Sequence, residues 1–209
     1  FPVYSDDVAY NGLYGMLPRQ YIAAEFLERV EVFRGANTFL NGAAPGGSGI
    51  GGAINLVPKR AGDQALTQLT TSILSDSQVW THLDVGRRFG TGGEWGLRAN
   101  GSRRAGDSAL DNNSVEVGVA TLGLDYRGDR LRASLDASLS NQNLDAPTSL
   151  FNAALPGIDI PDAPDGKVNT ANPFEYHDSS HRMIAGRLEY DIRPDTTIYA
   201  AAGASRYRE

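Results

Sequence analysis

Acidic and basic side chains alternate near the start of the chain, in an arrangement that general acid–base chemistry could use. Glu28, Arg29, Glu31 and Arg34 all fall within one short segment. A carboxylate beside a cation can transfer a proton or hold an anionic substrate. However, no His or Cys lies nearby, and apolar residues occupy the alternate positions, as in a half-buried strand. We interpret these charges as a structural network. Since no nucleophile–base pair stands out elsewhere, we predict no catalytic residues and no enzymatic activity.

A second group of side chains has the donor types of a metal site. Glu175, His177, Asp178 and His181 lie close together in a polar stretch. A metal site needs its donors to converge on one point, and a loop does not ensure that convergence. We therefore predict neither a metal site nor a resident cofactor, and we interpret the stretch as part of a long loop.

The Gly-rich segment Gly47–Gly52 matches the G-x-G-x-x-G pattern of dinucleotide-binding proteins. That chemistry needs a helix after the glycines, because the pyrophosphate sits on the N-terminus of the helix. Here the following residues, Ala53–Val57, have the composition of a strand. The pattern instead predicts a tight chain path on which two backbones approach closely.

The composition excludes several classes of protein. The 209 residues carry a net charge of -6, which disfavours a nucleic-acid partner. The chain has no cysteine, so disulfides and thiolate metal sites are excluded. No apolar run approaches the ~20 residues of a membrane-spanning helix, although barrel strands can cross a bilayer without one. There is no initiator Met and no signal peptide, and we expect an internal fragment of a longer protein.

The first sixty residues predict a small α+β unit. Residues 1–8 have the composition of a strand, and Asn11-Gly12 marks a turn. Residues 17–29 place apolar and charged side chains on opposite sides at helical spacing, which predicts a short helix. Residues 30–34 and 53–57 then read as two further strands.

The rest of the chain predicts seven strands connected in sequence. They are expected at 66–75, 78–89, 94–104, 115–126, 130–141, 181–192 and 196–208. Most are longer than the ~5–6 residues usual in soluble sheets, and their connections alternate between short and long. Aromatic residues fall near strand ends, where the interfacial girdle of a membrane barrel lies. These aromatic residues are Trp80, Trp95, Tyr126 and Tyr190.

The strand at 130–141 alternates most clearly. Leucine and alanine occupy the odd positions from Leu131 to Leu139, whereas the even positions are polar. A barrel in lipid requires this pattern, with apolar residues outward and polar residues toward the lumen. The strand at 115–126 changes phase between Val119 and Leu122, which predicts a bulge near residues 119–120. Seven strands cannot close around a plug, so further strands are expected downstream.

Two sequence blocks carry a resemblance to a known family. The first runs from Leu27 to Gly35 and reads LERVEVFRG. The second consists of Gly46-Gly47 followed by Gly52–Arg60, which reads GAINLVPKR. Together they resemble the plug domain of TonB-dependent outer-membrane receptors, and the ferric-siderophore receptor subgroup in particular.

The resemblance implies a mainly β architecture: a plug domain, then an antiparallel transmembrane barrel of about 22 strands with a plugged lumen. Residues 1–62 would be the C-terminal half of the plug, and residues 63–209 the first barrel strands, with a long extracellular loop at about 142–180. By the same analogy, Arg34 would lock the plug to barrel carboxylates beyond Glu209. The expected ligand-facing residues are, at the plug apex, Tyr14, Met16, Leu17 and Arg19, and in the long loop Phe151, Phe174 and Tyr176.

The function implied by the resemblance is the binding and active import of a ferric siderophore across the bacterial outer membrane. The partners would be the siderophore, the lipid bilayer and TonB, which would bind a region that precedes this chain. Haem, cobalamin or an oligosaccharide would suit the same fold. A passive porin or an adhesin barrel is the alternative from a different class, and residues 1–60 disfavour it because a porin has no plug before its first strand.

Overall fold

The computed structural model describes residues 8–18, 21–35, 42, 51–148 and 165–209. Strands form two sheets in this part of the chain, and none of its residues is helical. The strands of the small sheet are β1 (Val8–Tyr10), β2 (Leu27–Arg34) and β3 (Gly52–Pro58). The strands of the large sheet are β4 (Leu66–Leu74), β5 (Gln78–Phe89), β6 (Trp95–Asp107), β7 (Ser114–Arg127), β8 (Leu131–Asp145), β9 (Tyr176–Arg193) and β10 (Thr196–Arg208).

In the small sheet β3 is the central strand. It runs parallel to β1 and antiparallel to β2, so the motif segments Leu27–Arg34 and Gly52–Pro58 lie side by side. Gly52 opens β3 with φ +139°, and a Cβ on it would lie 2.2 Å from the carbonyl oxygen of Phe33. Only glycine tolerates this approach. The predicted close backbone path is therefore confirmed at Gly52, while residues 43–50 of the Gly-rich loop lie outside the described residues.

The helix predicted over 17–29 is wrong for the residues that the structure describes. Residues 21–26 are irregular and end in a turn, and β2 begins at Leu27. Tertiary contacts explain the difference, because the carbonyls of Glu25 and Phe26 accept hydrogen bonds from the side chain and backbone nitrogen of Lys59, at 2.6 and 2.9 Å. The N–H of Leu27 bonds to the carbonyl of Ala24 at 3.0 Å in a turn, so the segment is held against the linker with a non-helical backbone.

The large sheet is an open antiparallel meander in which each strand pairs with its sequence neighbours. The predicted bounds of β5 and β10 are confirmed. β8 and β9 extend further than predicted, with pairs continuing to Asp145 and Tyr176, so the loop between them is shorter than the predicted 142–180. Apart from Leu144 and Tyr176 these added residues are polar, so hydrophobic periodicity gave little signal for them.

The two faces of the large sheet differ as the alternation of β8 predicts. The inner face contacts residues 8–18 and 21–27 and the linker after β3, and it carries buried polar side chains such as Asp136 and Ser138. The outer face carries exposed apolar side chains such as Leu135 and Leu139. Trp95 and Tyr126 lie near the ends of their strands with ring centroids 4.9 Å apart. Trp80, in contrast, points inward and donates its indole N–H to Glu25 at 3.0 Å, so it does not belong to an outer girdle.

The bulge predicted near residues 119–120 is wrong, because β7 keeps an unbroken register with both of its neighbours. Val117 and Val119 point inward and are buried, whereas Leu122 points outward. The inner valines pack with Tyr10, Met16, Phe26 and other buried residues in one cluster. An apolar patch on the inner face therefore matches the apolar surface that covers it, and the strand needs no change of phase.

Candidate functional site

The linker after β3 enters a buried group of charges on the inner face of the large sheet. Pro58 ends β3, and the next two side chains, Lys59 and Arg60, reach carboxylates of the large sheet. Lys59 donates to Asp84 of β5 at 3.0 Å, and its Nζ also reaches the carbonyl of Glu25 at 2.6 Å. Lys59 thus joins three segments of the chain.

Asp84 binds a second cation on its own sheet. Arg98 of β6 donates to both oxygens of the Asp84 carboxylate, at 2.5 and 2.7 Å. The Asp84 side chain is 4 % exposed, so its charge is compensated by two cations rather than by water. This bidentate geometry holds Arg98 in place, where it also donates to the carbonyl of Arg60 at 3.1 Å.

Arg60 forms a second bidentate pair, with Asp136 of β8. One nitrogen donates to Oδ2 at 2.7 Å and the other to Oδ1. The Asp136 side chain is 5 % exposed, so this pair is also shielded from solvent. Because Asp84 and Asp136 lie on different strands, the two linker cations attach the chain to two separate parts of the large sheet.

A third buried pair holds the linker from the side. Arg88 of β5 donates to Asp125 of β7 at 2.9 Å and to the carbonyl of Ala61 at 3.1 Å. Its remaining donors bind the carbonyls of Gly93 and Glu94 in the turn after β5. Ala61 has no exposed surface, so this part of the linker is fully covered.

We name these side chains the junction cluster. Its members are Lys59, Arg60, Asp84, Arg88, Arg98, Asp125 and Asp136. The cluster contains no Ser, Cys or His, and each of its cations is paired with a carboxylate. It therefore attaches the small sheet to the large one. Sequence reasoning missed the cluster. The signal was present, because Asp84, Asp125 and Asp136 all fall on the polar face that the alternation predicts.

The two sequence blocks meet at a smaller polar contact within the small sheet. Glu31 of β2 lies opposite Asn55 of β3 and accepts a hydrogen bond from its side-chain amide at 2.9 Å. Asn55 in turn accepts the backbone N–H of Gly12 at 3.0 Å, which ties the turn after β1 to β3. The hydrogen bonds from Asn55 and Arg29 hold the pKa of Glu31 below its usual value. The predicted structural role of these charges is consistent with this geometry.

Arg34, the predicted lock, lies exposed at the end of β2. Within the described residues it forms no ion pair, and the partners expected for it lie beyond Glu209. Its role stays a prediction. The attachment that the structure does show is made 25 residues later, by Lys59 and the residue after it.

The residues predicted at the plug apex differ in their surroundings. Tyr14 and Leu17 are half-buried, and Tyr14 borders an open cavity between the small sheet and β9. Met16 is 9 % exposed and packs in the same cluster as Val117, so it can touch a ligand only if that cluster opens. Arg19 lies outside the described residues.

Of the predicted loop aromatics, Phe174 and Tyr176 are 79 % and 71 % exposed where the chain enters β9, whereas Phe151 lies outside the described residues. The potential metal donors nearby do not converge. His177 and His181 point to the inner face, while Asp178 between them points to the outer face. Within the described ranges, no group of three such side chains could hold a metal ion.

Comparisons with known proteins support the architecture. No family model matches the chain. The ferrichrome receptor FcuA of Yersinia enterocolitica is 43 % identical over 205 residues, which are 98 % of this chain and 27 % of that protein. The crystal structure of BauA, the ferric preacinetobactin receptor of Acinetobacter baumannii, superimposes with a TM-score of 0.92 at 35 % identity, over 98 % of this chain and 30 % of that one. The siderophore receptor PiuA of A. baumannii, at 18 % identity and a TM-score of 0.81, shares the fold.

A polar-faced antiparallel sheet that carries a smaller sheet on its inner side, with these likenesses, matches part of the architecture of TonB-dependent outer-membrane receptors. The two relatives above 30 % identity are a ferrichrome receptor and a ferric preacinetobactin receptor. The predicted resemblance is thereby confirmed. The chain spans 27 % of FcuA and 30 % of BauA, roughly a quarter to a third of these relatives. We use plug for the small sheet with its linker, and wall for the large sheet. The division between residues 62 and 63 stays a prediction; it falls between β3 and β4.

Proposed function

We propose that the protein to which this chain belongs lies in the bacterial outer membrane, binds a ferric siderophore at its extracellular side and imports it with energy from TonB. The observation that carries this proposal is the 43 % identity to a ferrichrome receptor, supported by the 0.92 TM-score to a ferric preacinetobactin receptor. No helix in the described residues has the length and apolar character needed to cross a membrane.

The plug favours gated import over a passive pore. It covers the inner face of the wall and is attached there by buried ion pairs, so diffusion along that face is blocked. A ligand that binds the closed state more tightly than the open state will be released when the plug is displaced. Such a receptor binds and moves its substrate without covalent chemistry. Tyr14 and Leu17 of the plug and the exposed Phe174 are the ligand contacts that we propose within the described residues. Tyr176 begins β9 on the same outer face as Asp178, which points away from the plug.

Growth of an iron-starved strain that lacks the gene for this receptor tests the proposal. The strain is supplied separately with ferrichrome, ferric preacinetobactin, a ferric catecholate, haem and cobalamin. We expect growth to be lost on at least one ferric siderophore and kept on haem, and a plasmid that carries the full-length gene should restore it. Removal of TonB from a strain that keeps the receptor gene should abolish growth on the same ferric siderophore.

Two outcomes of the growth assay separate the alternatives. Normal growth on every siderophore, with haem or cobalamin uptake lost, would transfer the function to that substrate. Restoration of growth in a strain that lacks TonB would instead indicate a passive barrel.

A further inference from the structure

The apex turn of the plug, residues 14–17, is held from two sides. On the plug side, Tyr10 and Leu13 exchange two backbone hydrogen bonds, of 2.8 and 2.9 Å, directly before the turn. On the wall side, the hydroxyl of Ser205 in β10 donates to the carbonyl of Gly15 at 2.8 Å. The first residue of the apex turn therefore lies between a segment bonded to the plug and a residue bonded to the wall.

Met16 fills the space that a glycine leaves on β10. Gly203 faces the plug, because its register partner is the buried, inward Ala185. A Cβ at Gly203 would lie 2.6 Å from the Sδ of Met16 and 3.0 Å from the carbonyl oxygen of Ile184. Met16 is buried in the same cluster as Val117, so its side chain has little room to move aside. The glycine therefore determines how closely Met16 approaches the wall.

Both wall contacts fall between the two plug residues that we propose as ligand contacts. β10 binds the carbonyl of Gly15 and packs against Met16, and these two residues separate Tyr14 from Leu17. Gly15 has a φ of +73°, a conformation that suits glycine in a tight turn. A shift of either central residue must therefore move the side chains on both sides of it.

We propose that Ser205 and Gly203 are positioning residues for siderophore binding, which fix the apex turn against the wall so that Tyr14 and Leu17 project toward the ligand. This inference rests on the proposed function, which assigns those two plug residues as ligand contacts. The wall residues act through the turn and not by direct contact with the siderophore. A preorganised turn binds more tightly than a mobile one, because less conformational freedom is lost on binding.

Ligand titration of the full-length receptor in detergent tests the role of Gly203. Ferrichrome and ferric preacinetobactin are the probes, and Gly203→Ala is compared with Gly118→Ala on β7, where a Cβ would meet no atom within 4 Å. We expect Gly203→Ala to bind about tenfold more weakly, the loss typical of one displaced contact in a binding site, and Gly118→Ala to bind as the wild type does. In a Met16→Ala background, Gly203→Ala should cost less than about threefold, because the side chain that it displaces is gone.

A measurement without ligand tests the role of Ser205. Hydrogen exchange of residues 13–17 is followed by mass spectrometry in the wild type, in Ser205→Ala and in Ser205→Thr, which keeps the hydroxyl. We expect faster exchange in Ser205→Ala alone, together with siderophore binding that is about fivefold weaker, the contribution of one hydrogen bond. The thermal unfolding midpoints of all variants are compared, so that a folding defect is recognised. If Gly203→Ala does not fold, the two variants of Ser205 decide.

Three results would overturn the inference. They are equal affinities of Gly203→Ala and Gly118→Ala, a loss from Gly203→Ala that persists in full without the Met16 side chain, and unchanged hydrogen exchange in Ser205→Ala. A wild-type receptor that binds neither siderophore, while hydrogen exchange changes as expected, would refute the proposed function and leave the attachment of the apex turn to the wall intact.

Discussion

Replacement of Asp136 with alanine is expected to lower the free energy of unfolding of the full-length receptor by about 3–5 kcal/mol, the range for breaking a buried ion pair. The variant leaves the Arg60 guanidinium without its bidentate partner in a place where the side chains are largely shielded from water. Arg60 lies two residues after the end of β3, so the plug should lose part of its attachment. Urea unfolding in detergent, followed by tryptophan fluorescence, measures the change.

Two further variants make this expectation specific. Glu116→Ala removes an ion pair of similar length, 2.8 Å, whose side chains are 51 % and 70 % exposed, and it should cost less than about 1 kcal/mol. The double variant Arg60→Met/Asp136→Leu removes both charges and should recover much of the stability, because neither charge is left buried alone. If Asp136→Ala cost no more than Glu116→Ala, the junction cluster would not hold the plug.

Replacement of Leu135 with arginine is expected to destabilise the receptor by about 2–4 kcal/mol in a lipid bilayer, the cost of a cation near the middle of the membrane. Leu135 is the central outward residue of the apolar band on β8, and it is 47 % exposed in the absence of lipid. The matched control is Leu131→Arg on the same face of the same strand, at the edge of the band, where the cost falls to about 0–1 kcal/mol.

Equilibrium unfolding of the receptor in lipid vesicles measures both arginine variants under the same conditions. The difference between them is the informative quantity, since both introduce the same side chain. Equal costs at the two positions would mean that β8 does not cross the bilayer at the level that the apolar band defines.

The strands of the wall could be predicted because the alternation of apolar and polar residues is visible within the sequence of each strand. In β8, leucines and alanines alternate with polar residues over the whole band, and the structure places them on opposite faces as the alternation predicts. The predicted bulge in β7 was wrong because the plug covers the inner face of the wall at that place. Val117 and Val119 are apolar on the inner face because the plug covers them, and no alternation rule contains that contact.

The segment before β2 shows a second limit of sequence reasoning. Ile22 and Phe26 have helical spacing, yet both pack into the cluster between plug and wall from an irregular backbone. The determining partner, Lys59, lies more than thirty residues away in the sequence and binds the carbonyl of Glu25. Propensity and periodicity describe a segment by itself, so they cannot include a hydrogen bond of this kind.

The junction cluster was predictable in its residues but not in its pairs. The sequence motif ends in Lys59-Arg60, and the alternation places three aspartates on the inner face. Which cation binds which carboxylate depends on the register between β5 and β6 and on the path of the linker across β8. Neither can be read from the alternation of polar and apolar residues. The resemblance directed attention to Arg34 instead, whose expected partners lie outside this chain.

We expect strands β4 to β10 to form a membrane wall whose inner face is covered by the plug. Site-directed spin labelling of β8 tests it most directly, and the 209 residues contain no cysteine that would interfere. Nitroxide labels are placed at residues 133–135 and 137–139 of the full-length receptor in lipid vesicles, with Asp136 left in place. We expect high accessibility to oxygen at the odd positions, and low accessibility to oxygen and to a water-soluble nickel complex at Ser138, which is 5 % exposed beneath the plug. Free access of the nickel complex to Ser138, or an absence of two-residue periodicity, would contradict the account.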